Sequence, residues 1–326
     1  MSSVREFMDQ HFLHFNSREV VAAARAWEQH LAKGGKMLIS LAGAMSTARI
    51  GRTLSRLIRA DMVHAVSCTG ANLEEDVFAL LAAPDYEVIP DWRALRAEDE
   101  AALLARGMNR VTDICIPETV MLDMDARLLE LWRAACEAGT AKMPSEYLWE
   151  VLDQPGLRDQ FKLPAEESWV LAAKEKGVPI YTPGWEDSSL GNAFTAFVMK
   201  EEIPSHRCIV PGTEVMARLM RWYLSNCNRS KNGPSVGFFQ IGGGIAGDFA
   251  ICAVPALIQD MKLSGVPFWG YFCQVSDAVT SYGGYSGAPP NEKITWAKLS
   301  VDTPRFMIQS DATIVAPLVF GYLLGD

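Results

Sequence analysis

The stretch VGFFQIGGGIAG (residues 236–247) gives the clearest indication of the fold. Its strand-like first half runs directly into a turn in which Gly242, Gly244 and Gly247 satisfy the pattern GxGxxG, and the apolar segment FAICAVPALI (249–258) follows. Glycines let the backbone approach a dinucleotide phosphate closely, and the start of a helix behind them favours the negative charge. Because such turns also join ordinary strands to helices, the stretch by itself leaves nucleotide binding open.

Comparable strand-like runs alternate with helical patterns along the rest of the chain. The other strand candidates are residues 37–41, 63–67, 111–116, 178–181, 267–275 and 306–309. Helical patterns occur in the first thirty-odd residues, from about Thr47, over 128–138 and over 215–224. Strands separated by helices predict an α/β fold with a mostly parallel central sheet flanked by helices. Since no Pro-, Gly- or Ser-rich linker divides the sequence, we predict one Rossmann-like domain over residues 1–326, with a helical N-terminal segment at 1–35.

The composition is that of a globular protein with a large core, since 49% of the residues are hydrophobic and 21% are charged. A net charge of −9 argues against nucleic acid as the main partner. No apolar run is long enough to span a membrane, and the first residues lack the apolar core of a signal peptide, so we expect a cytoplasmic protein. The seven cysteines form no CxxC pair and the five histidines show no metal-site spacing, so we expect no metal.

Turn-rich segments follow the predicted strands, at the sheet edge where ligands of such folds bind. They are AGAMST (42–47), CTGANLEED (68–76), PGWEDSSLG (183–191), GGGIAG (242–247) and SYGGYSGAPPNE (281–292). Asp277, after the strand 267–275, could accept hydrogen bonds from a ribose diol. Glu74, Glu75 and Asp76 either form the negatively charged first turn of a helix or face the site, and Asp187 has the same two interpretations.

The segment SYGGYSGAPPNEKITWAKLS (281–300) contains the candidate nucleophile. Lys298 lies two residues after Trp296 and close to Glu292. A lysine that is shielded from water loses part of its affinity for protons, and its neutral amine can then act as a nucleophile. The alternative interpretation is that Lys298 is an ordinary solvated surface charge, which is the commoner state of lysine.

The same segment resembles the active-site segment of the deoxyhypusine synthases, which reads roughly SGARPDEAVSWGKI where this chain has SGAPPNEKITWAKL. Four further motifs are similar to those of the family and come in the same order. CTGANLEED resembles TAGGVEED, PGWEDSSLG resembles PALTDGSLGD, IGGGIAG resembles LGGGVVKHH, and QSDATIVAPLV resembles YADASLVFPLL. The resemblance covers the chain from about Leu38 to Pro317.

The resemblance implies a mechanism and a set of site residues. Family enzymes bind NAD and remove a hydride from the carbon beside the secondary amine of spermidine. A lysine attacks the resulting imine, diaminopropane leaves, an acceptor amine displaces the lysine, and the hydride returns. Lys298 matches that lysine, Trp296 the tryptophan lining the amine site, and Glu292 a carboxylate that holds a substrate ammonium. The positions matching NAD-binding residues are Ser46, Thr69, Gly70, Ala71, Glu75, Asp187, Gly242, Gly243, Asp277, Ala278, Asp311 and Ala312.

Several positions on the amine side depart from the family pattern. Tyr285 replaces an aspartate that anchors a substrate amine, and Asn192 replaces the acid that ends DGSLGD. Asp248 replaces a histidine thought to help proton transfer, and Cys252 replaces the asparagine four residues later. The remaining candidates for contact with substrate are Asp248, Tyr285, Asn192 and Glu74. The altered amine channel implies that the polyamine is held differently or that another amine is used.

The leading hypothesis is therefore transfer of an aminobutyl group from a polyamine such as spermidine to a small amine, as in a homospermidine synthase. The first alternative is deoxyhypusine synthase itself, with a lysine of a translation factor as acceptor. The second is an NAD-binding scaffold without activity. The resemblance also implies a homotetramer with active sites at subunit interfaces.

Overall fold

A computed structural model describes residues 3–229 and 233–326 of the chain. Its central sheet contains six parallel strands, which are β1 (Lys36–Leu41), β2 (Ala65–Cys68), β6 (Ile180–Tyr181), β7 (Val236–Ile241), β8 (Tyr271–Ser276) and β9 (Arg305–Gln309). Their order across the sheet is β6-β2-β1-β7-β8-β9. A smaller antiparallel sheet contains β3 (Glu87–Val88), β4 (Met108–Val111) and β5 (Ile114–Pro117). The predicted α/β fold with a mostly parallel central sheet is confirmed.

Helices cover both faces of the central sheet. They are α1 (Val4–His11), α2 (Phe15–Ala32), α3 (Gly51–Arg59), α4 (Gly70–Ala82), α5 (Ala97–Ala105), α6 (Glu118–Glu137), α7 (Pro144–Leu152), α8 (Trp169–Lys176), α9 (Ser189–Met199), α10 (Gly212–Asn226), α11 (Gly244–Ile251), α12 (Ala253–Pro255), α13 (Glu292–Thr295) and α14 (Ala312–Leu324). A π-helical turn (Ala256–Asp260) continues α12. Helices α1 and α2 confirm the helical N-terminal segment. No helix in the described ranges is long and apolar enough to cross a membrane.

Alternation of side chains along the strands divides the apolar core into two clusters. In β1, Met37 and Ile39 point to the cluster that contains Trp27 of α2, whereas Leu38 points to the opposite cluster. That second cluster packs Phe238 of β7 against Trp269, with ring centroids 4.9 Å apart. Because both faces of the sheet are covered, its carboxyl edge is the place where the connecting loops can form a ligand site.

Two local predictions were wrong, and each failed at a residue with positive φ. The candidate strand 111–116 is in fact a hairpin, since Thr112 has φ 52° and the chain reverses between β4 and β5. This hairpin belongs to the smaller sheet. The helix expected from about Thr47 begins only at Gly51, because Arg49 has φ 62° and the preceding residues form turns. A helix and a strand both need consecutive residues with negative φ, so neither segment could continue as predicted.

Candidate active site

Lys298 lies in a cavity of about 480 Å³ beside helix α11. Only 8% of the residue is exposed, and its Nζ donates to the Asp248 carboxylate at 3.1 Å. The cavity is lined by Met216, Asp248, Cys252, Pro255, Ala256, Asp260, Tyr285, Ala288, Glu292, Lys293, Trp296 and Lys298. Five residues expected to form the amine site, which are Lys298, Trp296, Glu292, Asp248 and Tyr285, therefore line one space.

The turn after α13 aims Lys298 into this cavity. Ala297 has φ 55°, and the backbone N–H of Lys298 donates to the carbonyl of Lys293 at 3.0 Å. The carbonyl of Lys298 then accepts from the backbone N–H of Trp269 at 3.1 Å, which anchors the segment next to β8. A left-handed backbone is unfavourable for alanine, and the family segment SWGKI has glycine at this position. The turn is thus held by its surroundings rather than by local preference.

Tyr285 contributes an aromatic face in place of the carboxylate found in the family. Its hydroxyl donates to Gln240 Oε1 at 2.9 Å, and burial raises its pKa well above the usual value, so the phenol stays neutral. The Nζ of Lys298 lies 5.4 Å from the centre of its ring. The ring quadrupole can stabilise a cation at this distance, but it supplies no formal charge for a substrate amine.

Lys293 is a cavity residue that the sequence analysis missed. It is 2% exposed, and its Nζ lies 3.3 Å from the carbonyl oxygen of Ala288 and 5.0 Å from the Tyr285 ring centre. Burial, and to a smaller extent the charge of Lys298, lowers the pKa of Lys293 to about 8. A signal was present in the sequence, because the family segment SGARPDEAVSWGKI has alanine where this chain has Lys293.

Glu74 and Asn192 do not line this cavity. At the start of α9, the backbone N–H of Ser189 donates to one carboxylate oxygen of Glu74 and the backbone N–H of Leu190 donates to the other, each at 2.9 Å. Asn192 is exposed and donates to the carbonyl of Glu186 at 2.9 Å. Glu74 therefore caps a helix from within the protein, as charged groups near a helix N-terminus do.

The expected NAD positions lie at the carboxyl ends of the six parallel strands. Gly242 has φ 70°, and a Cβ there would lie 2.9 Å from Ala42 Cβ. A Cβ on Gly243 would overlap the Ser286 hydroxyl, so the turn after β7 admits no side chain. Beyond that turn α11 begins at Gly244, which is exposed and has no atom within 4 Å of the position its Cβ would take. The helix start is open to a ligand.

An acidic residue stands next to that turn. The backbone N–H of Gly242 donates to the carbonyl of Val275 in β8 at 2.8 Å, and Asp277 follows β8 with an exposed side chain. Phosphate oxygens and a ribose diol are the two parts of a dinucleotide that such neighbours bind. The chain at this edge therefore fits NAD.

Other expected NAD positions differ in how accessible they are. Asp187 and Asp311 are exposed. Thr69 is the N-cap of α4, and its hydroxyl donates to the carbonyl of Gly43 at 2.7 Å. The same edge also holds Gly70, Ala71, Ala278 and Ala312. Ser46 and Glu75 are buried. The Ser46 hydroxyl donates to the Asn72 carbonyl at 2.6 Å, and Glu75 accepts from the Thr47 hydroxyl. Ser46 and Glu75 thus bond within the protein.

The sequence model of the deoxyhypusine synthase family matches residues 6–323. The chain belongs to the deoxyhypusine synthase family. A deoxyhypusine synthase-like protein from Cyanothece sp. is 29% identical over 99% of this chain and 80% of its own length. Probable deoxyhypusine synthase 2 from Archaeoglobus fulgidus is 25% identical over 95% of this chain and 94% of its own length.

Solved structures agree on the fold. A candidate deoxyhypusine synthase from Entamoeba histolytica matches 98% of this chain and 92% of its own with a TM-score of 0.62, at 11% sequence identity. The resemblance inferred from the five motifs is confirmed, and with it the class of protein. Deoxyhypusine synthases are NAD-dependent enzymes that transfer an aminobutyl group, so this chain is a transferase of that type.

Proposed function

We propose that this protein transfers an aminobutyl group from a polyamine such as spermidine to a small amine through an imine on Lys298, as a homospermidine synthase does. The observation that carries the proposal is the enclosed Lys298, paired with Asp248 at 3.1 Å in a cavity beside the glycine turn. A lysine that is shielded from bulk water and has a carboxylate within hydrogen-bond reach has the surroundings required of an imine-forming nucleophile.

NAD is the cofactor that the edge of the sheet would hold, through the turn at Gly242 and Gly243, the start of α4 at Thr69, and Asp277 beside them. When bound, it accepts a hydride from the carbon next to the donor's secondary amine and returns that hydride at the end of the cycle. The remaining steps belong to the side chains of the cavity.

Lys298 acts on the oxidised donor. Its Nζ adds to the carbon of the donor imine, and the bond from that carbon to the departing diaminopropane breaks, which leaves the aminobutyl carbon joined to Lys298 as an imine. Asp248 accepts the proton that Nζ loses on addition and supplies a proton to the departing amine. The acceptor amine then adds to the same carbon, and Lys298 leaves as a free amine. Asp248 takes the place of the histidine expected from the family.

Trp296 and Glu292 bind the ammonium groups of the substrate at the cavity opening. Trp296 is 67% exposed, so its indole face is free to contact a cation, and Glu292 is an exposed carboxylate on the same wall. Tyr285 lies deeper and offers its ring alone. Among the residues expected to contact the amine, Glu292 is the carboxylate at the opening, and Trp296 and Tyr285 contribute aromatic faces.

Trapping with borohydride tests the proposal. Incubation with NAD and labelled spermidine, followed by reduction, is expected to leave the label on Lys298. Lys298→Arg should abolish the label and leave NAD affinity unchanged, because Arg keeps the charge but cannot form the imine. If no candidate amine labels Lys298 while NAD still binds, the protein is a scaffold without this activity.

The acceptor is tested in a separate arm. Enzyme, NAD and spermidine are incubated either with putrescine or with a translation factor that carries an acceptor lysine. Homospermidine without modification of the factor supports the proposal, whereas modification of the factor without homospermidine supports deoxyhypusine synthase. Both reactions use the same imine chemistry on Lys298, and they differ in the acceptor amine that enters the cavity, which is a small diamine in one and a protein lysine in the other.

We further propose that residues 1–326 form one domain that assembles into a cytoplasmic homotetramer with its active sites at subunit interfaces. What supports assembly is a group of exposed apolar side chains, here called the rim patch, in the segments that follow β7, β8 and β9 and around Lys298. They are Ile245, Val279, Tyr282, Trp296 and Ile314. Large exposed apolar side chains beside a functional site are typical of an interface.

A further inference from the structure

Lys293 is a buried ammonium without an acidic partner. Within the ranges that the structure describes, its Nζ has no carboxylate oxygen within ion-pair distance, and its hydrogen-bond partner is the Ala288 carbonyl at 3.3 Å. The faces of Phe272 and Tyr285 lie 4.9 Å and 5.0 Å away. An ammonium has three donors, so at least two point at aromatic faces or into the cavity. An unpaired buried charge is unfavourable unless something neutralises it.

The charges around the cavity do not supply a counter-ion to Lys293. Its lining contains two lysines, Lys293 and Lys298, and three carboxylates, Asp248, Asp260 and Glu292, for a net charge of −1. Asp248 is paired with Lys298, and Asp260 and Glu292 are exposed. None of these carboxylates is close enough to neutralise Lys293, so a ligand group placed beside its Nζ meets an uncompensated positive charge, and like charges repel strongly away from water.

The distribution of charge matches a substrate that carries both signs. The buried side of the cavity presents the unpaired cation Lys293, and its exposed side presents the carboxylates Glu292 and Asp260. A diamino acid has an amine for the exposed acids and a carboxylate for the buried lysine. Its net charge of +1 would cancel the −1 of the lining.

We propose that the small amine acceptor carries a carboxylate and that the Nζ of Lys293 binds it, an inference that rests on the proposed function for the identity of the site. Lys293 is then the residue that determines specificity, and it separates this chain from relatives that have alanine in the corresponding segment. Lys298 remains the nucleophile.

Binding to matched pairs of ligands tests the proposal. Calorimetry in the presence of NAD would compare ornithine with putrescine, and 2,4-diaminobutyrate with 1,3-diaminopropane, since the members of each pair differ only by the carboxylate. The wild-type protein is expected to bind the carboxylated member at least about tenfold more tightly. Lys293→Met should abolish that preference, Lys293→Arg should retain part of it, and Lys33→Met, at an exposed position remote from the cavity, should leave it unchanged.

The pH dependence provides a second measurement that needs no variant. The pKa of Lys293 is lowered to about 8, so its charge is lost as the pH rises through that value. The ratio of the affinity for the carboxylated ligand to the affinity for its uncarboxylated partner should therefore fall between pH 7 and 9. The charged and titratable groups facing Lys293 are Lys298, Glu292, Asp248 and Tyr285. Putrescine reports their effect on amine binding, and the ratio of the two affinities, corrected for the titration of each ligand's own amines, isolates Lys293.

Equal affinities within each pair, or the same preference in wild type and Lys293→Met, would overturn the proposal. So would a borohydride adduct on Lys293 in place of Lys298, because the Nζ of Lys293 would then be bonded to the substrate. Should Lys293→Met fold poorly, Lys293→Gln and the wild-type pH series give the same discrimination. If the preference depends on Lys293 but no amine is ever trapped on Lys298, the carboxylate site stands and the proposed function fails.

Discussion

Asp248 lies between the enclosed Lys298 and solvent. The side chain of Lys298 is 10% exposed, whereas that of Asp248 is 50% exposed, and the two meet at 3.1 Å. The Cys252 thiol also donates to the same Asp248 oxygen at 3.5 Å. A proton released by Lys298 can therefore pass to Asp248 and from there directly to water, so no further proton-conducting residues are needed. A histidine at this position could also transfer protons, but it would be neutral or positive where Asp248 is negative. The exchange of histidine for aspartate therefore alters the electrostatics of the cavity more than the route for protons.

Glu75 makes the stability of the protein depend on pH. Burial raises its pKa from 4.5 to about 7, although the hydrogen bond from Thr47 acts in the opposite direction. The folded state thus binds more protons than the unfolded state, and the free energy of unfolding decreases as the pH rises from about 4.5 to about 7. We expect wild type to lose about 2 kcal/mol more than Glu75→Gln between pH 5 and pH 8.

Urea unfolding at the two pH values measures this difference. His30 is buried and His64 is half-buried, and burial lowers the pKa of both, so they weaken the fold as the pH falls, but they are present in both proteins and cancel in the comparison. Glutamine keeps an oxygen that can accept from Thr47 and has no charge to bury. If the free energy of unfolding changed with pH by the same amount in wild type and Glu75→Gln, Glu75 would not be the titrating group.

At the level of single residues, the sequence predicted part of the cavity lining but not the orientation of every side chain. The motif around Lys298 indicated the lysine, tryptophan and carboxylate that line one cavity, because their spacing is fixed by a short turn. Glu74 and Asn192 lie elsewhere, since the direction of a side chain at a helix start depends on which neighbour it caps. Lys293 was overlooked because a lysine is ordinarily exposed, and only the packing of Phe272 and Tyr285 around it shows that this one is buried.

The turn between β7 and α11 depends on the contact between two loops. A Cβ on Gly243 would overlap the Ser286 hydroxyl and lie 3.0 Å from Ser286 Cβ. Gly243→Ala is expected to push the segment 281–287 away from the turn, to destabilise the fold by about 1–3 kcal/mol and to weaken NAD binding by about tenfold or more. Thermal unfolding and NAD titration measure the two effects.

A second substitution shows whether the contact itself is responsible. Ser286→Gly removes both overlapping side-chain atoms, so the double variant should recover much of the stability and NAD affinity that Gly243→Ala loses. Gly212→Ala is the matched control, because its added Cβ meets no atom within 4 Å. Equal defects in the single and double variants would mean that the glycine is needed for another reason.

At the level of elements, apolar runs followed by glycine or small residues predicted the parallel strands correctly. This worked because strands buried on both faces must be apolar throughout, and the turns behind them must be compact. The pattern failed at 111–116, where apolar residues on both sides of Thr112 and Asp113 looked like one strand. Thr112, and likewise Arg49, has a positive φ that its residue type does not favour, so nothing in the local sequence indicated it.

At the level of the whole molecule, substitutions in the rim patch test whether the protein assembles as a homotetramer. A homotetramer should have a mass about four times the 35.9 kDa of one subunit. Val279 and Ile314 are 65% and 61% exposed in the isolated chain, and burial of such side chains between subunits would remove apolar surface from water. Val279→Asp and Ile314→Asp should therefore shift the protein to smaller species, because a carboxylate without a partner is unfavourable in an interface.

Light scattering of the two variants measures the mass, and Leu104→Asp serves as the control. Leu104 is 73% exposed on α5, in a part of the chain remote in sequence from the rim patch, so its replacement should leave the mass unchanged. If subunits complete each other's sites, the rim variants should also lose trapping of amines on Lys298 while each subunit stays folded. A tetramer that survives both rim substitutions would place the interface elsewhere, and trapping that survives dissociation would show that each chain holds a complete site.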